Sequence, residues 1–211
     1  MAAVSVGVLG GAFDPPHNGH VALARGGIAT FELGRLLVRV VRDPGHKDVG
    51  TPPGLRLLLA QLAFDPVAVA EVTLDPFART VDSLEALELD DPVFLVGADE
   101  FADFLSWKEP ERVLELARLG VATRPGVDRA RVDAVLARLE RPDRVALFEI
   151  EPLPVSSTEI RACVAAGAPI AGLVPPAVEA EIARLGLYAH VGKPGGGGML
   201  GEDPSEGTTP T

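Results

Sequence analysis

Residues 4–20 read VSVGVLGGAFDPPHNGH. Val4, Val6, Val8 and Leu9, with small residues between them, form an apolar run that reads as a buried strand. Gly10 and Gly11 break the run, Asp14-Pro15-Pro16 turns the chain, and a helix restarts at Asn18. Strand, glycine turn and helix make the first half of a βαβ unit. Without a Cβ, Gly10 and Gly11 let a ligand's phosphates approach the backbone N–H groups. His17 and His20 stand three apart where the helix opens, and on a helix that spacing puts both rings on one face, toward whatever the turn holds.

Outward from this stretch the chain alternates. Strands are read at 36–41, 67–73, 93–96, 121–123 and 145–150. Helices are read at 19–32, 55–64, 80–90, 101–105, 109–118, 127–139, from Ser156 onward, and at 175–185. Gly26-Gly27 weakens the first helix by roughly 1 kcal/mol per glycine relative to alanine. This alternation predicts an α/β fold, a Rossmann-like, doubly wound, mainly parallel sheet flanked by helices and joined by right-handed crossovers. Ligands of such sheets sit beyond the carboxyl ends of the strands, near the switch point. The first turn, the turn at Gly97 and the segment after Ile150 all fall at strand carboxyl ends, so they are expected to converge. Residues 1–190 form one domain, and the Gly/Pro-rich tail 191–211 is expected to be disordered, having nothing to bury.

At 211 residues, 47% hydrophobic and 23% charged, the chain suits one domain with a sizeable core. Nineteen basic against 30 acidic residues gives a net charge of −11, which argues against a nucleic-acid partner. A small phosphorylated substrate remains compatible, since it needs only a few local cations and N–H donors. No apolar stretch is long enough to span a membrane, and the N-terminus lacks the basic lead of a signal peptide. A single cysteine, Cys163, excludes an internal disulfide and a cysteine-rich metal site. A reduced, cytoplasmic protein is expected. Nothing here sets the oligomeric state, and a homo-oligomer is compatible.

The opening stretch resembles the G-x-F-D-P-x-H-x-G-H signature of the nucleotidyltransferase superfamily of α/β phosphodiesterases, matching at Gly11, Phe13, Asp14, Pro15, His17, Gly19 and His20. Val155-Ser156-Ser157-Thr158-Glu159-Ile160-Arg161 is similar to that family's second signature, I-S-S-T-x-I-R. Read alone, Ser156-x-x-Glu159 is a capping box, and a capped helix N-terminus is itself an anion site. Gly97-Ala98-Asp99 with Trp107-Lys108 resembles G-A-D followed by W-K, and Pro44-Gly45-His46-Lys47 a P-P-H-K loop. These segments narrow the resemblance to the bacterial nicotinate-nucleotide adenylyltransferases, collinear from about Val4 to about Tyr188.

The resemblance implies transfer of AMP from ATP to nicotinate mononucleotide, giving deamido-NAD and pyrophosphate. It assigns transition-state stabilisation to His17 and His20, with Lys47 and Arg161 as further cations on the phosphates. Gly10, Gly11, Ala12 and Phe13 line the ATP turn, and Ser156, Ser157, Thr158 and Asp99 complete the nucleotide site. Arg79, Thr80, Trp107 and Lys108 fall on the acceptor side, with Trp107 suited to stack on a pyridine ring. Mg²⁺ would be held by ATP oxygens and water, with no protein metal ligands assigned. A helix N-cap at Asp99, a core anchor at Trp107 and a solvated loop lysine at Lys47 are the ordinary structural alternatives. Position 12 is Ala where the family usually has Thr or Ser, and Arg79-Thr80 replaces an aromatic-Thr pair. Arg56 resembles an arginine that follows the P-P-H-K loop, its role left open. Another acceptor such as nicotinamide mononucleotide, or a nucleotide-binding protein without turnover, are the competing expectations.

Overall fold

The computed structural model describes residues 4–45, 49–124, 128–151 and 153–189. The opening apolar run forms β1 (Val6–Gly11), which lies between β2 (Arg35–Val41) and β4 (Val93–Gly97). With β3 (Ala70–Asp75), β5 (Arg118–Thr123) and β6 (Val145–Glu149) they make one sheet in the order β3-β2-β1-β4-β5-β6. Every pairing is parallel, and the winding reverses between β1 and β4. The helices are α1 (Asn18–Phe31), α2 (Pro53–Phe64), α3 (Thr80–Leu87), α4 (Ala98–Phe101), α5 (Pro110–Leu116), α6 (Arg129–Leu136), α7 (Ser157–Ala165) and α8 (Pro176–Leu185).

Side chains alternate across a strand, so this sheet feeds two cores. Leu9, Leu36, Val38 and Val40 pack with Leu23 and Ala24 of α1, Leu59 and Ala60 of α2, and Val178 and Ile182 of α8. Val8, Phe94, Val96 and Val121 face the other way, onto Val81 and Leu84 of α3, Val113 and Leu114 of α5 and Val132 of α6. Helix α1 lies directly on the sheet. A Cβ at Gly27 would stand 2.5 Å from the Leu95 side chain, and one at Gly26 would stand 2.7 Å from Ile150. The helix propensity lost at these glycines is what allows the close approach.

Several boundaries differ from the sequence reading. β3 starts at Ala70 rather than Val67, because Val67 and Ala70 close two turns, donating to the Phe64 and Val67 carbonyls at 2.8 Å each. Arg118 belongs to β5 and not to the preceding helix, since its N–H bonds the Pro92 carbonyl at 2.9 Å and enters the sheet register. The helix from Thr80 stops at Leu87, where Glu88 takes a left-handed φ of 47°. The expected helix at 101–105 resolves into α4 and a 3-10 turn, Phe104–Ser106. The tail 191–211 lies outside the described residues.

Candidate active site

A cavity of about 530 Å³ opens over the carboxyl ends of β1, β2, β3 and β4, at the point where the winding reverses. Gly10, Gly11 and Ala12 form its wall on one side, and Arg39, Asp75 and Ser83 lie on another. Asp99, Trp107 and Lys108 come from the segment after β4, and Phe77, Arg79 and Thr80 from the entry to α3. The expected acceptor residues therefore do meet the glycine turn in one cavity. Lys47 and His46 lie outside the described residues.

The glycine turn is tightly held. Phe13 is 1% exposed and takes a left-handed φ of 51°, uncommon for a bulky residue. Its ring packs on His20 at 4.9 Å and edge-on to Phe64 at 5.8 Å. The Asp14–Pro15 peptide is cis. His17 is the N-cap of α1, with extended backbone, and His20 is the third helical residue. The two rings stack at 3.7 Å. Their meeting is thus an N-cap arrangement and not a shared helix face. The His17 N–H donates to His20 Nδ1 at 3.2 Å, so neutral His20 carries its proton on Nε2. Burial lowers the His17 pKa to about 4 against a smaller opposing effect of Glu159, which keeps the ring neutral at pH 7.

Across the turn stands the N-terminus of α7. Ser156 is its N-cap, accepting the Glu159 N–H at 3.2 Å and donating to the Glu159 carboxylate at 2.8 Å. Ser157 Oγ donates to the Pro15 carbonyl at 2.8 Å. Arg161 donates to the Asp14 carbonyl at 2.7 Å and to Thr158 Oγ1 at 3.3 Å. The second motif therefore braces the first. Tyr188, just past α8, adds a bond from its hydroxyl to Asp14 Oδ1 at 2.7 Å. Burial, and then this bond, push the Tyr188 pKa well above its ordinary value.

On the acceptor side, Trp107 packs edge-on against Phe94 and Phe104, at 6.1 and 5.2 Å, while still lining the cavity. It serves as core anchor and cavity wall together. Asp99 is not a helix N-cap, since Gly97 holds that place; Asp99 is exposed and pairs with Arg124 at 3.0 Å. Three basic side chains line the cavity. Arg39 is paired with Asp75 at 3.2 Å and Lys108 with Asp82 at 2.6 Å. Arg79 is exposed and has no ion-pair partner among the described residues.

Sequence reasoning missed the group formed by Arg39, Asp75 and Ser83. Asp75 is 2% exposed and accepts from Arg39, Ser83 Oγ and the Phe77 N–H. The available signal was an arginine inside an otherwise apolar strand. Arg56, left open, is buried, and Tyr188 entered the reading only as the end of the resemblance. Among the described residues no group of three or more His, Cys, Asp or Glu side chains could hold a metal. No described helix is long and apolar enough to cross a membrane.

A family model described as cytidylyltransferase-like matches residues 8–163. The chain is 37% identical over 199 residues to a "Probable nicotinate-nucleotide adenylyltransferase" of Thermomicrobium roseum, covering 88% of this chain and 92% of that one. A protein of the same name from Roseiflexus sp. is 36% identical over 201 residues, covering 89% of this chain and 100% of its own. A solved structure of Plasmodium falciparum nicotinic acid mononucleotide adenylyltransferase complexed with NaAD superposes with a TM-score of 0.72 at 18% identity, covering 89% and 98% of the two chains. At that identity the superposition speaks for the fold.

Proposed function

The chain belongs to the cytidylyltransferase-like family, and on that premise we propose that it is a nicotinate-nucleotide adenylyltransferase of NAD biosynthesis. A phosphate oxygen of nicotinate mononucleotide attacks the α-phosphorus of ATP. The new P–O bond forms as the bond to the β-phosphate oxygen breaks, giving deamido-NAD and pyrophosphate. Such a reaction rests on positioning and on stabilising charge that moves to the leaving group.

What carries the reading is the junction of the two motifs. Ser157 and Arg161 reach back to the Pro15 and Asp14 carbonyls, bringing the histidine pair and the N-terminus of α7 to one place. His20, its Nδ1 held by the His17 N–H, would act on the phosphates, and His17, neutral and stacked on it, avoids the repulsion of two imidazoliums at 3.7 Å. The amides and dipole of α7, with the Thr158 hydroxyl and the remaining Arg161 N–H groups, suit the outer phosphates. Gly10, Gly11, Ala12 and Phe13 would carry the α-phosphate side, and Asp99 the ribose. Mg²⁺ would arrive on ATP, bound by phosphate oxygens and water, and would neutralise the triphosphate.

For the acceptor, Arg79, with no ion-pair partner among the described residues, favours an anionic pyridine substituent, a carboxylate over an amide, with Trp107 as stacking face and Thr80 and Lys108 at the rim. A cytoplasmic location goes with this substrate pair. The test is pyrophosphate release with ATP and Mg²⁺ on nicotinate and on nicotinamide mononucleotide, with His17→Ala as control. Turnover on the nicotinate form, lost in the control, is expected. Arg79→Ala should raise KM for that acceptor at least tenfold and leave KM for ATP within twofold. Equal turnover on both acceptors, or an unchanged acceptor KM, would overturn the assignment of Arg79.

A further inference from the structure

Arg56 is 1% exposed, one of the largest fully buried side chains among the described residues, yet it pairs with no carboxylate among them. Its guanidinium is engaged with backbone carbonyls instead. Nε donates to Thr51 at 3.0 Å, Nη1 to Ala12 at 2.7 Å and to Val41 at 2.8 Å, and Nη2 to Arg42 at 2.8 Å. These four acceptors come from three places: the glycine turn after β1, the end of β2, and the residue that leads into α2. Only a planar fork can satisfy carbonyls spread in this way; an ammonium is a point donor.

The bond to Ala12 has a directional consequence. In a planar trans peptide the C=O and the following N–H point in opposite directions. Among the described residues the one cis bond is Asp14–Pro15, so the Ala12–Phe13 peptide is trans. With its carbonyl drawn toward the buried guanidinium, this peptide sends the Phe13 N–H the other way, away from Arg56, and Ala12 at its start lines the cavity. That N–H donates to no acceptor among the described residues. Phe13 is also the residue held at φ 51°, a conformation that persists only where its surroundings impose it.

We propose that Arg56 is a positioning residue for the nucleotide: by holding the Ala12 carbonyl it aims the Phe13 N–H at the triphosphate of ATP. The inference rests on the adenylyltransferase reading above. Because the Phe13 ring lies against His20, the same bond also helps to set the histidine pair.

The test is calorimetric titration of the full chain and of Arg56→Lys with a non-hydrolysable α,β-methylene ATP, alongside steady-state KM for ATP and for the acceptor. A Kd for the analogue weakened at least tenfold, with KM for ATP raised in parallel and the acceptor KM within twofold, is expected. A merely structural role would lower the fraction of binding-competent protein and the melting temperature, leaving the Kd of the folded fraction unchanged. A Kd within twofold of the parent's overturns the proposal. Should Arg56→Lys fail to fold, amide exchange at Phe13 in the parent decides: slowed exchange with saturating analogue supports the proposal, and unchanged exchange overturns it. Neither binding readout needs an acceptor, so an inactive parent would count against the adenylyltransferase reading alone.

Discussion

Titrating His17 tests how far its half-buried setting disfavours the charged ring. Its pKa of about 4 in the folded protein lies below the ordinary 6.5, chiefly because burial penalises the imidazolium. As pH falls, the unfolded chain takes up this proton first, so stability is lost between pH 6.5 and 4 and is fully present above that window. The full penalty is about 3 kcal/mol at most, and by pH 5.5 the linkage relation gives about 1 kcal/mol relative to pH 7. The comparison is best stopped at pH 5.5, since the protein's pI is near 4.8 and its solubility falls there. Urea unfolding of the parent and of His17→Gln at pH 7.0 and 5.5 isolates the effect, because other groups titrate in both. The parent should lose about 1 kcal/mol more than the variant over this interval. Equal losses, or a ring titration by NMR centred near 6.5, would refute the half-buried, neutral histidine.

Two other substitutions probe the frame of the site. Among the described residues, Tyr188→Phe removes the only hydrogen bond to the buried Asp14 carboxylate, whose Oδ2 has no partner there, and should cost about 1–3 kcal/mol in urea unfolding. An unchanged midpoint would mean that the hydroxyl contributes nothing to holding the turn. Gly27→Ala improves helix propensity by about 1 kcal/mol, yet it should destabilise, because the added methyl meets Leu95 at 2.5 Å. A raised melting temperature would show that α1 can lift off β4 without loss.

Much of the fold was legible because its signals are local. An apolar run broken by glycines and followed by Asp-Pro-Pro can hardly be other than strand, turn and helix start, and β1 and α1 sit where that reading puts them. The alternation of short apolar runs with helical spacing implied a parallel sheet, and the convergence of the first turn with the Gly97 turn followed from parallel strands alone. Ser156 as a cap was equally local, since its acceptor lies three residues away. Errors gathered at element ends, as at Val67 and Arg118, where the deciding hydrogen bonds come from turns and neighbouring strands.

By itself, then, the sequence determined the order of elements, the two motif stretches and the chemistry they offer, because each depends on residues close together in the chain. Which partners those side chains meet was decided only by tertiary structure. In the sequence Ser157 and Arg161 read as phosphate ligands, and the structure adds a bond from each to a carbonyl 142 and 147 residues away. Arg56 carried only a resemblance with its role left open, and the closed chain makes it the common anchor of the turn after β1, the end of β2 and the entry to α2. A buried cation must find acceptors wherever the fold brings carbonyls together, and that meeting is a property of long-range packing with no trace in local spacing.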